Sequence, residues 1–140
     1  MPDIKKLLVD ADAFVAINTI DDTNYAKAVE LSSLADKQDI QLFTSDPAFG
    51  EAITVISQKV GLNNAVEFAE TILASPIEII EVDSHLRREA LEIFKKQKSK
   101  NSRFTVCINM AILKEKGLDT IFSFDRDYKV NKFKRFGIDK

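Results

Sequence analysis

Short apolar runs alternate with helical patterns along this chain, and that alternation restricts the fold more than any other feature of the sequence. The runs cover residues 7–9, 40–43, 77–82 and 120–124, and a last short strand is predicted within residues 133–138. Strands separated by helices need crossover connections, which favour a parallel sheet. The runs are nearly all apolar, as expected for strands that are covered on both faces. The pattern therefore predicts an α/β fold, a three-layer α/β/α sandwich with a short central parallel sheet.

Cap residues predict five helices between these runs. The first covers residues 23–35 with Asp22 or Thr23 as its cap, and the second is capped by Asp46, with Pro47 at its first position and Gly61 at its end. The third runs from a capping box of Asn64 and Glu67 to Ala74. The fourth is capped by Asp83, and the fifth runs from a cap at Ser102 to Gly117. No linker or repeat interrupts the pattern, so we expect residues 1–140 to form a single domain.

The composition excludes several classes of protein. The 140 residues are 45% apolar, yet no run approaches the roughly 18 to 20 apolar residues of a membrane-spanning helix. The first residues do not resemble a secretory signal. Cys107 is the only cysteine and His85 the only histidine, which excludes a disulfide framework and a zinc cluster. We expect a protein of the reducing cytoplasm.

The formal net charge of −2 hides a strong polarity along the chain. Residues 1–94 contain seven Lys and Arg against 17 Asp and Glu, a net charge of −10, whereas residues 95–140 contain 13 against five, a net charge of +8. This polarity is compatible with an acidic pocket beside a basic surface. The alternative is that both sets of charges lie on solvated helix faces.

Acidic residues follow the predicted strands at one edge of the sheet. Asp10 comes directly after the first run and Asp125 after the fourth, Asp12 and Asp127 follow each by two positions, and Glu51 lies in the first turns of the helix after the second run. In open parallel sheets, sites form at this carboxyl edge. Clustered carboxylates repel unless a cation compensates, and their hard oxygens suit Mg²⁺ or Mn²⁺. Such a site can activate water for phosphodiester hydrolysis. The alternative is that these aspartates only cap the following helices.

Three motifs surround these acids: LLVDADAFVAI at residues 7–17, TSDPAFGEAITVISQKVG at residues 44–61 and IFSFDRDYKV at residues 121–130. Together they resemble the PIN-domain family, and most closely the VapC-type toxins of bacterial and archaeal toxin–antitoxin pairs. The resemblance covers essentially the whole chain. It implies that Asp10, Glu51 and Asp125 coordinate one or two Mg²⁺ or Mn²⁺ ions and orient the attacking water, with Asp127 as an outer contributor.

A fourth acidic position of that family is filled by valine. The family pattern resembles Phe-Thr-Asp-Cys where this chain has Phe104, Thr105, Val106 and Cys107. A valine cannot ligate a hard cation, and even the loss of a group that supports a ligand commonly costs about 10- to 100-fold in metal affinity. Either the domain is naturally degenerate, or an Asp→Val change was selected when a toxic nuclease was expressed. The intact surroundings of the other acids favour the second explanation.

Two basic groups flank the last motifs. They are Lys95, Lys96, Lys98, Lys100 and Arg103, and Arg126, Lys129, Lys132, Lys134 and Arg135. We expect RNA phosphates to contact Lys98, Lys100, Arg103, Arg126 and Lys129, since Lys and Arg give affinity without sequence choice. A solvated surface is the alternative. Among the aromatic residues, Tyr128 and Phe14 are the candidates for walls of the acidic pocket.

The leading hypothesis is a metal-dependent endoribonuclease that hydrolyses RNA with a metal-activated water, weakened or inactivated by Val106. A VapC-type toxin would also bind a cognate antitoxin and form a homodimer. One alternative is a non-catalytic PIN-like module that binds RNA or protein. A lesser alternative is a phosphatase of the haloacid-dehalogenase type, because LLVDADAF fits an apolar strand followed by Asp-x-Asp, with Asp10 as nucleophile.

Overall fold

Five parallel strands form one sheet at the centre of the computed structural model, which describes residues 3–140. The strands are β1 (Lys6–Val9), β2 (Gln41–Ser45), β3 (Glu78–Ile80), β4 (Thr120–Phe122) and β5 (Lys134–Arg135), in the spatial order β3-β2-β1-β4-β5. Leu7 pairs with Leu42 on one side of β1, and Val9 pairs with Phe122 on the other. The predicted parallel sheet is confirmed, with β1 at its centre.

Seven helices cover the two faces of this sheet within the described residues. They are α1 (Ala11–Ile17), α2 (Tyr25–Lys37), α3 (Asp46–Lys59), α4 (Leu62–Leu73), α5 (Ser84–Lys95), α6 (Phe104–Lys116) and α7 (Arg126–Val130). Successive residues of a strand point to opposite faces. Leu7 and Val9 accordingly pack in the apolar cluster with α1 to α4, and Leu8 packs in the second cluster with α5 and α6. The structure thus has the three predicted layers.

Two helices at the carboxyl edge of the sheet are absent from the sequence prediction. Both α1 and α7 begin directly after a strand, with Asp10 and Asp125 as their N-caps. Each is short, seven residues for α1 and five for α7, so its period is hidden by the apolar run before it. The alternative that the strand-end aspartates cap the following helices is therefore confirmed for Asp10 and Asp125. Capping does not prevent a further role of these residues.

Several predicted caps are wrong. Ser45, and not Asp46, caps α3 by accepting the backbone N–H of Ala48 at 3.2 Å. Gly61 ends α3 as predicted, because its backbone N–H donates to the Ile56 and Ser57 carbonyls of that helix, and with φ of +128° it also precedes α4. The capping box of Asn64 is wrong, since the Asn64 side chain donates back to the Val60 carbonyl. Helix α6 begins after Arg103 and not after Ser102, and α2 begins after Asn24. Strand β3 is shorter than predicted.

The carboxyl ends of the three central strands lie side by side. The backbone N–H of Asp10 donates to the Phe122 carbonyl at 3.0 Å, and the buried hydroxyl of Thr44 donates to the Val9 carbonyl at 2.7 Å. These bonds bring the residues that follow β1, β2 and β4 to one place.

Among residues 3–140, no helix has the length and apolar content needed to cross a membrane.

The segment after β4 is fixed by an arginine near the end of the chain. Arg135 donates to both carboxylate oxygens of Asp139, at 2.9 and 3.1 Å, and to the Phe124 carbonyl at 3.2 Å. The hydrogen bonds from Arg135 lower the pKa of Asp139 from 3.8 to about 2. The carboxylate form of Asp139 therefore stabilises the fold.

We predict that Asp139→Asn lowers the free energy of unfolding at pH 7 by about 1.5–3 kcal/mol, the usual value for a hydrogen bond to a charged group. Because the folded pKa is the lower one, this stability is fully present above pH 3.8 and disappears as the pH falls towards 2. Urea unfolding at several pH values should therefore show the two proteins converging in acid. The exposed Asp21 offers a matched control, Asp21→Asn, which should behave as the wild type. A difference that persists at pH 2 would contradict the assignment.

Candidate active site

Asp10 lies at the centre of a buried polar cluster. Its side chain is only 4% exposed, and four donors surround it. The backbone N–H of Ala11 and the amide of Asn109 reach Oδ1 at 2.8 and 3.1 Å, and the hydroxyls of Ser123 and Tyr128 reach Oδ2 at 3.0 and 2.9 Å. Burial raises the pKa of Asp10, hydrogen bonds from Ala11, Tyr128 and Ser123 oppose that shift, and the charge of Asp125 adds to it.

Asn109 connects Asp10 to two further elements. It is fully buried in α6, where its Oδ1 accepts the Ser45 hydroxyl at 2.6 Å and its Nδ2 also approaches the Tyr128 hydroxyl at 3.0 Å. Burial and the Asp10 carboxylate raise the pKa of Tyr128 well above 10, so its phenol stays protonated and donates to Asp10. The ends of β1 and β2 and the helices α6 and α7 are thus joined through one amide.

Asp12 lies beside Asp10 and shares a donor with it. Both Asp12 oxygens are within 3.0 to 3.1 Å of the Ser123 hydroxyl, which also bonds Asp10, and one accepts the backbone N–H of Phe124 at 2.9 Å. Burial, followed by the charge of Asp10, raises the pKa of Asp12 to about 7. Asp12 is not among the metal ligands that the sequence predicts.

Asp125 and Asp127 belong to the first turn of α7. Asp125 caps the helix by accepting the backbone N–H of Asp127 at 2.8 Å, and its own N–H donates to Ser123 Oγ at 3.1 Å. Burial and the charge of Asp125 raise the pKa of Asp127, and Arg103 opposes this.

Burial and Asp127 raise the pKa of Cys107 to about 11, so this thiol is not an activated nucleophile.

Glu51 faces a cavity instead of the Asp10 carboxylate. It is half-buried on α3 and forms an ion pair with Arg103, which is itself exposed. A cavity of about 180 Å³ has as its polar lining Asp12, Asp22, Asn24, Glu51, Lys59 and Arg103. Asp12 and Glu51 therefore share one solvent-accessible space, which Arg103 borders.

Val106 occupies an apolar environment. It is 3% exposed and packs in the cluster of α5, α6 and the opposite face of the sheet. Asn109, three residues further along α6, is the polar side chain of that helix that reaches the acidic cluster. The position where the resemblance predicts a fourth acid thus contributes no side-chain oxygen.

The acids fit a hard divalent cation in their chemistry, because Asp10, Asp12, Asp125 and Glu51 provide only carboxylate oxygens at one sheet edge. Their side chains are nevertheless turned towards protein donors. Within residues 3–140, no three His, Cys, Asp or Glu side chains are arranged as a metal-binding group. Binding a cation would require Asp12 to turn from Ser123 and Glu51 to turn from Arg103.

The basic residues predicted to bind RNA lie on the surface. Lys98, Lys100, Arg126 and Lys129 are exposed, and an amide pair joins the segment that follows α5 to α7. In this pair Gln97 donates to Asn131 at 3.0 Å, and Asn131 donates to Gln97 at 3.1 Å. The C-terminal ends of α5 and α7, each of which is next to a basic group of the sequence, are therefore in contact.

Sequence reasoning missed the neutral members of the site. The signal for Asn109 was a lone amide inside the buried apolar run of α6. Ser123 and Ser45 gave no signal apart from their positions at strand ends. Tyr128 is more than a pocket wall, since it hydrogen-bonds Asp10. Phe14 instead packs against Phe68, with ring centroids 5.2 Å apart, and lines a different, mostly apolar cavity of about 440 Å³.

Comparison with known proteins identifies relatives along most of the chain. A family model described as "PIN domain" matches residues 7–134. The 23S rRNA-specific endonuclease VapC20 of Mycobacterium tuberculosis is 24% identical over 127 residues, which are 91% of this chain and 95% of that protein. A crystal structure of M. tuberculosis VapC20, described as a sarcin-ricin loop cleaving toxin, superposes with a TM-score of 0.82 at 21% identity, again over 91% and 95% of the two chains.

We predict that Asn109→Ala lowers the free energy of unfolding by about 3 kcal/mol, because it leaves a cavity and removes buried partners from Ser45, Asp10 and Tyr128. Denaturant unfolding at pH 7 measures the loss. Asn101→Ala is the matched control, since the exposed Asn101 bonds only through its backbone, and a change within about 0.5 kcal/mol is expected. A loss below about 1 kcal/mol for Asn109→Ala would show that the amide does not hold the site together.

Proposed function

We propose that this chain, which belongs to the PIN-domain family, is an RNA-cleaving endonuclease of the VapC toxin type. The observation that carries the proposal is the meeting of the Asp10 and Asp12 carboxylates at the single hydroxyl of Ser123, which also accepts the backbone N–H of Asp125, next to a cavity that Glu51 and Arg103 line. VapC20, the relative that matches over nearly its whole length, is itself an RNA endonuclease by its name. The substrate class we propose is therefore RNA, and the place of action is the cytoplasm.

PIN-domain nucleases of the VapC type depend on a divalent metal, and we propose Mg²⁺ or Mn²⁺ for this chain. Asp10, Asp125 and Glu51 would hold it, with Asp127 as an outer contributor. When bound, the ion supplies an activated water and neutralises charge on the scissile phosphate.

The protein's own groups prepare this reaction. Asn109 and Tyr128 hold the Asp10 carboxylate in one orientation through buried hydrogen bonds. Lys98, Lys100, Arg126 and Lys129 bind the RNA backbone by charge. Arg103 exchanges its ion pair with Glu51 for a phosphate group, and the freed Glu51 then orients the attacking water.

A specific observation favours a second candidate, the non-catalytic PIN-like module that binds RNA or protein. Val106 removes one oxygen from the family's acidic set, and four protein donors already surround Asp10. Such a module would bind RNA without cutting it. The phosphatase alternative has no comparable support, because the strand with LLVDADAF lies within the part of the chain that matches the PIN-domain model.

We also propose two protein partners. A cognate antitoxin would cover the acidic edge with a basic or amphipathic segment. A second copy of the chain would pack on the exposed apolar stripe of α4, where Leu62 and Leu73 are 69% and 66% exposed and Val66 lies between them.

Asp125→Asn should reduce Mn²⁺-dependent cleavage of RNA by at least about 100-fold, because it removes a charged oxygen that neighbours Asp10 and Asp12. Asparagine keeps an oxygen that accepts the Asp127 N–H, so the α7 cap and the fold are retained. Asp46→Asn, a change of equal charge at an exposed position of α3, should leave cleavage unchanged. Wild-type protein that binds RNA but does not cut it with Mn²⁺ would favour the binding module instead.

Arg126→Ala should weaken RNA binding and reduce the slope of log affinity against log salt by about one unit, since one phosphate contact is lost. The expected decrease is similar for RNAs of different sequence. Lys37→Ala is a charge-matched control, because Lys37 ends α2 at the opposite edge of the sheet. Equal slopes for wild type, Arg126→Ala and Lys37→Ala would contradict an RNA-facing role of the α7 surface.

A further inference from the structure

We propose that Asp12 supplies the metal-binding carboxylate that this chain lacks at position 106. The inference rests on the proposed nuclease function, because it names a ligand for the cation that such a nuclease uses. It also explains how a PIN domain with Val106 retains a complete acidic set.

The first argument is the hydrogen bonding of Ser123. Its Oγ lies 3.0 Å from Asp10 Oδ2 and 3.0 and 3.1 Å from the two oxygens of Asp12. A hydroxyl has one hydrogen, so it can donate to only one of these carboxylates at a time. The carboxylates are thus held within about two hydrogen-bond lengths, roughly 6 Å, with a single proton donor between them. A cation beside Asp12 would offset the repulsion between these two neighbouring carboxylates.

The second argument is access. Asp10 is nearly inaccessible and is absent from the lining of the 180 Å³ cavity, whereas Asp12 and Glu51 both line it. Asp12 is therefore the acid that connects the buried cluster to the cavity. The cavity volume also accommodates several waters, at about 30 Å³ each, which a hydrated divalent ion brings with it.

Position 106 and Asp12 lie on different helices around the acidic cluster. Position 106 lies on α6, where the surrounding side chains are apolar, and Asp12 lies on α1, opposite α3 and Glu51. The carboxylate lost on α6 is thus matched by one that reaches the same cluster from α1. Under this proposal, α1 supplies to the cluster the carboxylate that α6 does not.

A purely structural role for Asp12 would rest on its bond to the Phe124 N–H at 2.9 Å. Asp12→Asn separates the two roles, because an asparagine oxygen still accepts that N–H while the charge is lost. Removing a carboxylate that Asp10 repels should leave the metal-free protein at least as stable as the wild type. Thermal unfolding in EDTA checks that the variant is folded.

The test is a calorimetric titration of the full chain with Mn²⁺ alone. Four variants accompany the wild type: Asp12→Asn, Val106→Asp, the double variant, and Asp36→Asn as an exposed charge-matched control on α2. We expect Asp12→Asn to bind Mn²⁺ at least about 10-fold more weakly than the wild type. Adding Val106→Asp to Asp12→Asn should restore the affinity to within about threefold, and Asp36→Asn should bind as the wild type does.

The outcomes separate this inference from the proposed function. If Asp12→Asn binds Mn²⁺ as tightly as the wild type, Asp12 is not a ligand and the inference fails, while the nuclease function stands. If the wild type does not bind and Val106→Asp alone does, Asp12 does not replace the missing acid, and this chain is an inactivated nuclease. If none of the proteins binds Mn²⁺, the metal-dependent function fails together with the inference.

Discussion

The burial of the Asp10 carboxylate is the constraint on which the rest of the structure depends. An isolated charge at 4% exposure is costly, and it persists only where hydrogen bonds compensate it. Here the donors come from α1, α6, α7 and the end of β4, so four parts of the chain must meet correctly before the centre is satisfied. The acidic centre thus defines the arrangement of the helices around it as much as the sheet defines the position of the acid.

The sheet and most helices could be predicted because their causes are local. Apolar runs of strand length and the helical patterns between them fix a parallel topology, and Asp83 caps α5 as its position in the sequence indicates. The short helices α1 and α7 escaped prediction because each shares its first residues with the end of a strand. The caps at Asn64 and Ser102 failed for a related reason, since a cap depends on the backbone angle at one residue, which neighbours set.

The candidate site shows the same division between local and tertiary information. Acids at strand ends are visible in the sequence, and the topology explains why Asp10 and Asp125 meet. The ion pair of Glu51 with Arg103 and the amide of Asn109 join residues that are 52 and 99 positions apart from their partners. No local pattern encodes such pairs. The ion pair also shows that the acidic and basic parts of the chain are not a separate pocket and surface, because a basic residue borders the acidic cavity.

If the proposed ligand assignment holds, the valine at position 106 changes the energetic balance of the centre as well as its ligand count. Each carboxylate added to a buried cluster raises the electrostatic cost of the metal-free state and strengthens its attraction for a cation. Val106 lowers that cost by packing in the apolar cluster, and Asp12 raises it again from the other side, where its pKa of about 7 reflects burial and the charge of Asp10. The electrostatic cost therefore falls on Asp12, which lines the open cavity where an ion can reach it, and not on an acid at the buried position 106 of α6. Stable apolar packing is thus found on α6, and the repulsion between carboxylates is found on α1. Active centres commonly combine stability with function in this way.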